Sequence, residues 1–145
     1  MLARVWPVLA LVLVVACGGS SPSAPEPPPP TGSAPYSKTD LVVGTGTEAA
    51  SGSTVALYYV LWLYSDTATD HKGTQVQALT TGTPFAFVIG GTGAIVGMSQ
   101  GVTGMKVGGQ RRLVIPPELA YGSQSNATIP ANATLLFDVQ LVAVQ

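Results

Sequence analysis

The chain has 145 residues, with Lys and Arg totalling 6, Asp and Glu totalling 7, a formal net charge of -1 and only 9% charged residues. That balance offers no basic field to attract nucleic acid, and a single cysteine (Cys17) and a single histidine (His71) exclude an internal disulfide and a Cys- or His-based zinc centre. The 17 glycines and 12 prolines point to one modest domain rich in turns and apolar strands, with its leader, and no metal or cofactor is expected.

The N-terminus starts Met1-Leu2-Ala3-Arg4 and continues apolar over residues 5–16. A run of about a dozen residues is too short to cross a hydrocarbon core of about 30 Å as a helix. It suits the h-region of a signal peptide. The run closes on Val14-Val15-Ala16-Cys17, which resembles the bacterial lipobox. That resemblance implies cleavage before Cys17 and lipidation of its thiol and new amino group, and more than one acyl chain makes anchoring stable. An ordinary secretory signal with a chance cysteine is the alternative. The expected address is the bacterial cell envelope, lipid-anchored on the periplasmic or extracytoplasmic face. The outer membrane is the expected side, since Gly18 stands where an aspartate is linked to inner-membrane retention. Residues 17–35 then form a tether: its Gly, Ser and Pro content buries no core, and Pro27-Pro28-Pro29-Pro30 gives a stiff extended spacer. A polyproline ligand for a partner is the second reading of that stretch.

From residue 36 to 145 the pattern is that of a folded domain. Residues 40–44 (DLVVG) read as a first strand, with turns at Gly44-Thr45-Gly46 and Ser51-Gly52. Residues 54–64 (TVALYYVLWLY) are β-branched and aromatic and predict a strand. Residues 84–89 alternate and predict another. Ile95, Met98, Val102 and Met105 recur at spacings of three and four, which predicts an amphipathic helix. Gly101 and Gly104 weaken it, and Gly108-Gly109 is its expected end. Residues 111–115 and 134–144 are the remaining strands. The expected fold is α+β: a mainly antiparallel sheet with one short helix laid on it.

Two motifs mislead. Gly97-Met98-Ser99-Gln100-Gly101 matches the G-x-S-x-G nucleophile elbow, but no histidine follows the serine. His71 precedes Ser99 with no acid between them, and Asp70 and His71 are adjacent, so the other triad orders fit poorly. Ser99 reads instead as an exposed helix position. Gly91-Thr92-Gly93-Ala94-Ile95-Val96-Gly97 resembles a dinucleotide fingerprint with its last spacing one residue too long, and no βαβ unit follows. A strand-to-helix turn is the better use for it. The sequons at Asn126 and Asn132 are incidental behind a bacterial leader.

Several further motifs occur in one order. Asp40-Leu41-Val42-Val43-Gly44-Thr45-Gly46 resembles the start of an FK506-binding-protein domain. Residues 107–122 (VGGQRRLVIPPELAYG) are very similar to that family's most recognisable run, and residues 129–139 (IPANATLLFDV) to its closing strand. Pro84-Phe85-Ala86-Phe87 and Gly101-Val102-Thr103-Gly104-Met105 fit between. The resemblance spans nearly all of residues 40–145. It implies a half-open antiparallel β-sheet wrapped around one short α-helix, with an apolar pocket between them.

Carried over by position, Tyr59, Phe85, Met98, Tyr121 and Phe137 line that pocket, and Ile95 contributes its backbone N–H to a substrate carbonyl. Ala94 and Ile129 stand at the wall or rim, and Val76 and Gln77 at the position of a usual Phe-Asp pair. From the residues alone, plain core is the favoured reading of Phe85, Phe137 and Met98, and a structural hydroxyl that of Tyr121. The implied activity is peptidyl-prolyl cis-trans isomerisation in exported proteins, by a pocket that needs no nucleophile, metal or cofactor. The implied partners are proline-containing polypeptides, FK506-like macrolides and, through the lipid anchor, a membrane. Met98 replaces a common tryptophan at the pocket floor, Gln77 a common aspartate, Val76 a common phenylalanine, and Val60-Leu61 a usual Thr-Gly. The stretch from Tyr121 to Ile129 is about a residue short. A binding module with little turnover, a holdase or surface adaptor, is the other function these residues allow.

Overall fold

The computed structural model describes residues 32–145; the expected leader, Cys17 and the tether up to Thr31 lie outside the described residues. Six strands follow in chain order: β1 (Ser37–Val42), β2 (Thr54–Tyr64), β3 (Lys72–Leu79), β4 (Phe85–Val88), then helix α1 (Val96–Val102), β5 (Gln110–Ile115) and β6 (Leu135–Val144). They form one antiparallel sheet in the order β1-β5-β6-β2-β3. The first half of β2 pairs instead with β4 on that outer side, Thr54 opposite Val88 and Leu57 opposite Phe85. Among the described residues no helix is long and apolar enough to cross a membrane.

β2 organises the sheet because its alternate residues are large and apolar. Val55, Leu57, Leu61 and Leu63 are buried with Leu113, Ile115, Leu135, Val139 and Leu141 of the neighbouring strands. Such alternation places one set of side chains on one face of a pleated strand. The helix lies on that face, against β5.

Two glycines set how close the helix comes. A Cβ at Gly101 would stand 2.5 Å from Leu113 Cδ1, and one at Gly97 would drive into the side chain of Ile115. The G-x-S-x-G stretch is therefore a helix-to-sheet contact in which the glycines, four residues apart, share one helical face. Ser99 is buried, contrary to the exposed helix position expected from the sequence. The short helix buries Gly97, Met98, Ser99, Gly101 and Val102, and Ser99 is 7% exposed with no hydrogen-bond partner for its Oγ among the described residues.

The helix also stops earlier than its apolar spacing suggests. It ends at Val102 rather than at Gly108-Gly109, because Thr103 leaves helical geometry at ψ 129° and Gly104 completes the turn at φ +80°, a left-handed geometry that suits glycine. Met105 stays buried beyond the helix, with its N–H on Val102 O at 3.0 Å. Buried Arg111 closes the exposed end: its Nη1 donates to Gly101 O at 2.8 Å and Thr103 O at 3.2 Å, while its Nε pairs with Asp40. A cation suits the C-terminal carbonyls of a helix.

Two strands differ from the sequence reading. β1 spans Ser37–Val42 rather than residues 40–44, and every residue in it is exposed, so pairing with β5 and not burial defines it. β3 was not expected at all. It is polar and half-exposed, KGTQVQAL, and exists because it continues the outer edge of β2, with Tyr59 opposite Leu79.

Candidate functional site

The aromatic cluster begins on the sheet. Tyr59 lies in mid-β2 opposite Val139, and Phe137 on β6 lies opposite Leu61, so the two aromatic residues are diagonal neighbours on the core face. Their ring centroids are 5.7 Å apart with planes at 58°. Phe85 opens β4 opposite Leu57, and its ring meets Tyr59 at 6.0 Å, edge-on at 77°. Such tilted contacts suit the charge distribution of aromatic rings. Met98 comes up from α1 beneath them.

With the loop between β4 and α1, these side chains enclose a cavity of about 330 Å³. Thr92, Gly93, Ala94 and Ile95 make one wall, and Tyr121 overhangs the mouth. The wall turns tightly because Gly90 takes φ +85° and Gly91 N–H reaches back to Val88 O at 3.0 Å. That is the use of the glycine-rich stretch, a strand-to-helix turn. Tyr121 follows the 3-10 turn Pro117–Leu119, and its loop is pinned by Gly122 N–H on Pro117 O and Asn132 N–H on Gly122 O, both at 2.8 Å.

Every side chain lining the cavity is uncharged. Burial, and then the neighbouring Tyr121, pushes the Tyr59 hydroxyl above the ordinary tyrosine range, so it stays a protonated donor. Ile95 caps the helix with extended backbone, and its carbonyl accepts from Met98 and Ser99 N–H at 3.1 and 3.2 Å. Its own N–H has no acceptor among the described residues. The cavity thus presents a largely apolar lining with neutral donors in reach of it, among them the Ile95 N–H and the hydroxyls of Tyr59 and Tyr121.

Of the residues singled out in the sequence, Tyr59, Phe85, Ala94, Ile95, Met98, Tyr121 and Phe137 are brought together around this cavity. Val76, Gln77 and Ile129 are not among its lining. Val76 sits at the bulge where β3 shifts register against Leu61 and Trp62, half-buried against the core. Gln77 is exposed opposite Leu61. Ile129 is 5% exposed within the core, held by its N–H on Asn126 Oδ1 at 2.8 Å. Thr92 and Gly93 line the cavity without having been singled out for it; the glycine-rich spacing marked their turn but not what the turn faces.

Among the described residues no carboxylate, histidine or cysteine lines this cleft. His71 stacks on Tyr64 at 4.9 Å and its Nδ1 lies 3.1 Å from Ser65 O, while the Ser99 Oγ is buried with no hydrogen-bond partner among the described residues. Among the described residues no three His, Cys, Asp or Glu stand together to hold a metal ion.

Comparison with known proteins places these features in a family. The family model for FKBP-type peptidyl-prolyl cis-trans isomerases matches residues 45–142. The chain is 41% identical over 110 residues to the chloroplastic peptidyl-prolyl cis-trans isomerase FKBP16-4 of Arabidopsis thaliana, covering 73% of this chain and 46% of that protein. It is 43% identical over 106 residues to the 39 kDa FK506-binding nuclear protein of Drosophila melanogaster, covering 72% of this chain and 28% of that one. It therefore spans less than half the length of these curated relatives. The crystal structure of FkpA from Escherichia coli superposes with a TM-score of 0.62 at 35% identity, over 76% of this chain and 48% of that one. That of AtFKBP13 does so at 0.61 and 32%, over 76% and 93%.

Proposed function

The chain belongs to the FKBP-type peptidyl-prolyl cis-trans isomerase family, and on that premise we propose that its cavity seats the proline of an X-Pro segment and speeds rotation of the bond before it. Rotation about that bond faces a barrier of about 18–20 kcal/mol because it breaks amide resonance. A planar amide is strongly polarised and well solvated by water. At the twisted geometry the C–N bond loses its double-bond character and much of the charge separation, so a dry aromatic pocket disfavours it less. The proline ring packs on Met98 between Tyr59, Phe85 and Phe137. The Ile95 N–H and the Tyr121 hydroxyl hold the neighbouring carbonyls, which fixes the segment in the rotating geometry.

The observation that carries this reading is the uncharged, largely aromatic cavity, whose only polar side chains are neutral hydroxyls. A hydrolase or proton-transfer enzyme needs a titratable pair at the reacting atoms, and bond rotation needs none. An FK506-like macrolide that fills the same cavity competes with the peptide. The clients are exported proline-containing polypeptides, and Cys17 carries the lipid that holds the domain at the cell envelope. The lipobox-like Val14-Val15-Ala16-Cys17 supports that anchor, and labelling with an alkyne fatty acid, lost in Cys17→Ser, tests it.

The activity test is exchange of a short X-Pro peptide measured by NMR. Acceleration by the wild-type chain that disappears in the Tyr121→Phe, Phe137→Ala double variant, folded by circular dichroism, establishes the isomerase and its pocket. A folded wild type that gives no acceleration sinks the enzyme reading and leaves a binding module.

A further inference from the structure

We infer that Tyr36 and the Asp40–Arg111 pair are positioning residues for the cavity: they hold α1 at its two ends and so set where Met98 and the Ile95 N–H stand. None of the three lines the cavity. The inference rests on the reading above, that the cavity takes X-Pro segments.

The helix has little of its own to hold it. It is seven residues long, Ile95 caps it without a side-chain hydrogen bond, and it has no acid in its first turn and no base in its last. A helix of about two turns is marginal by itself, and Gly97 and Gly101 weaken it further. Its place against β5 is therefore fixed by groups that other segments bring to it.

The first anchor is at the N-terminal end. The Tyr36 hydroxyl donates to Gly97 O at 3.2 Å, on the residue next to Met98. Burial raises this hydroxyl above the ordinary tyrosine range, against the opposing pull of the Arg111 charge, so it stays a protonated donor.

The second anchor is at the C-terminal end. Arg111, 8% exposed, donates through Nη1 to Gly101 O at 2.8 Å and Thr103 O at 3.2 Å, while its Nε donates to Asp40. A guanidinium is a rigid planar fork. The Asp40 bond to Nε therefore fixes the plane in which Nη1 meets the helix carbonyls.

From Gly97 to Gly101 a helix rises about 6 Å. The two anchors thus bracket the turn that carries Met98, and the first stands two residues from Ile95. Both lead back to one short segment, residues 36–40. Every residue of β1 is exposed, so that strand adds little apolar burial. What it brings to the cavity is the Asp40 carboxylate and, just before it, the Tyr36 hydroxyl.

The test uses the full chain in detergent micelles, at a temperature where circular dichroism shows each variant fully folded. Exchange of an X-Pro peptide gives kcat and KM, and the amide signals of Ile95 and Met98 report on the helix. Tyr36→Phe keeps the ring and loses the hydroxyl. Arg111→Leu removes the guanidinium, and Arg111→Lys keeps the charge without the fork. Loosening α1 leaves the proline its packing surface but misaligns the Ile95 N–H in the rotating geometry, so kcat should carry the loss. We expect kcat to fall about threefold in Tyr36→Phe and about tenfold in Arg111→Leu, with Arg111→Lys between wild type and Arg111→Leu, KM within about twofold, and both amide signals displaced. Should Arg111→Leu fail to fold, Tyr36→Phe and Arg111→Lys decide. A lower denaturation midpoint with kcat and both signals unchanged, in a chain whose wild type is active, makes the anchors structural only. It overturns the inference and leaves the pocket reading standing. A rise in KM at unchanged kcat also overturns it, because the anchors then serve binding alone. A wild type that accelerates nothing overturns both readings.

Discussion

The floor and the rim of the cavity are built on different principles. Phe137 and Met98 are 4% and 3% exposed and belong to the core that joins helix to sheet. Tyr121 is 43% exposed, on a loop held by backbone hydrogen bonds between Gly122, Pro117 and Asn132. On the proposed reading the floor serves folding and binding through the same contacts, whereas Tyr121 at the rim serves binding alone and its residue type is free to follow the substrate. A site so divided tolerates change at its mouth and transmits change at its base to the whole domain.

The floor gives the largest expected effect. Phe137→Ala removes a buried ring that touches Tyr59 and leaves a void between β6 and the helix, a loss of about 3–5 kcal/mol. Urea denaturation should show that loss, and peptide binding should fall with it. A variant that keeps full stability and loses only binding would break the division between floor and rim. Next in size is Gly101→Ala, whose methyl group meets buried Leu113. Overpacking of that kind costs about 1–3 kcal/mol. Since α1 carries both Met98 and the wall leading from Ile95, the displaced helix should weaken peptide binding too, although residue 101 does not line the cavity. Denaturation and titration of the same variant check both.

How far the sequence foretold this follows the same division. β2, β4, β5 and β6 were legible because burial on one face writes alternating apolar residues, and the apolar spacing of α1 wrote its inner face. β3 wrote nothing, since its side chains are polar and only its backbone pairing with β2 makes it a strand. The first strand was misplaced for the same reason: Ser37, Lys38 and Thr39 pair with β5 without being buried. Around the cavity, aromatic residues on strands were conspicuous in sequence. Thr92 and Gly93 were not, because a wall made by a turn depends on where the turn points. Gln77 shows the reverse. Position by family resemblance set it at the site, yet its β3 side chain is exposed outside the cavity.

Tyr121→Phe tests the rim. Tyr121 is exposed and its hydroxyl makes no hydrogen bond among the described residues, so stability should stay within about 0.5 kcal/mol of wild type. One donated hydrogen bond to a substrate carbonyl is worth about 1 kcal/mol, so kcat/KM should fall about fivefold. A larger loss of stability than of activity would move Tyr121 into the structural class with Phe137.

The smallest effect comes from the opposite face of the sheet, where the cavity has no part. Asp138 accepts from Arg112 Nε at 2.7 Å and Nη2 at 3.0 Å and pairs with Lys72 Nζ at 2.8 Å, while that ammonium lies 4.2 Å from the Trp62 ring centroid. Burial alone would raise the Asp138 pKa, but the hydrogen bonds from Arg112 and Lys72 outweigh it and hold the carboxyl below its ordinary value. A carboxylate lowered in the folded state adds stability above its unfolded pKa of about 3.9 and loses it as pH falls through the folded value. Stability should therefore be flat near neutrality and decline below about pH 4, by no more than about 1 kcal/mol for a partly solvated pair. Asp138→Asn should shrink that decline without abolishing it, because the Arg111 hydrogen bond likewise lowers Asp40. At pH 7 the same variant should bind peptide as the wild type does, although its neighbour in sequence, Phe137, forms the floor. Adjacent strand residues point to opposite faces, and a binding defect in Asp138→Asn at unchanged stability would show that the two faces of β6 are coupled.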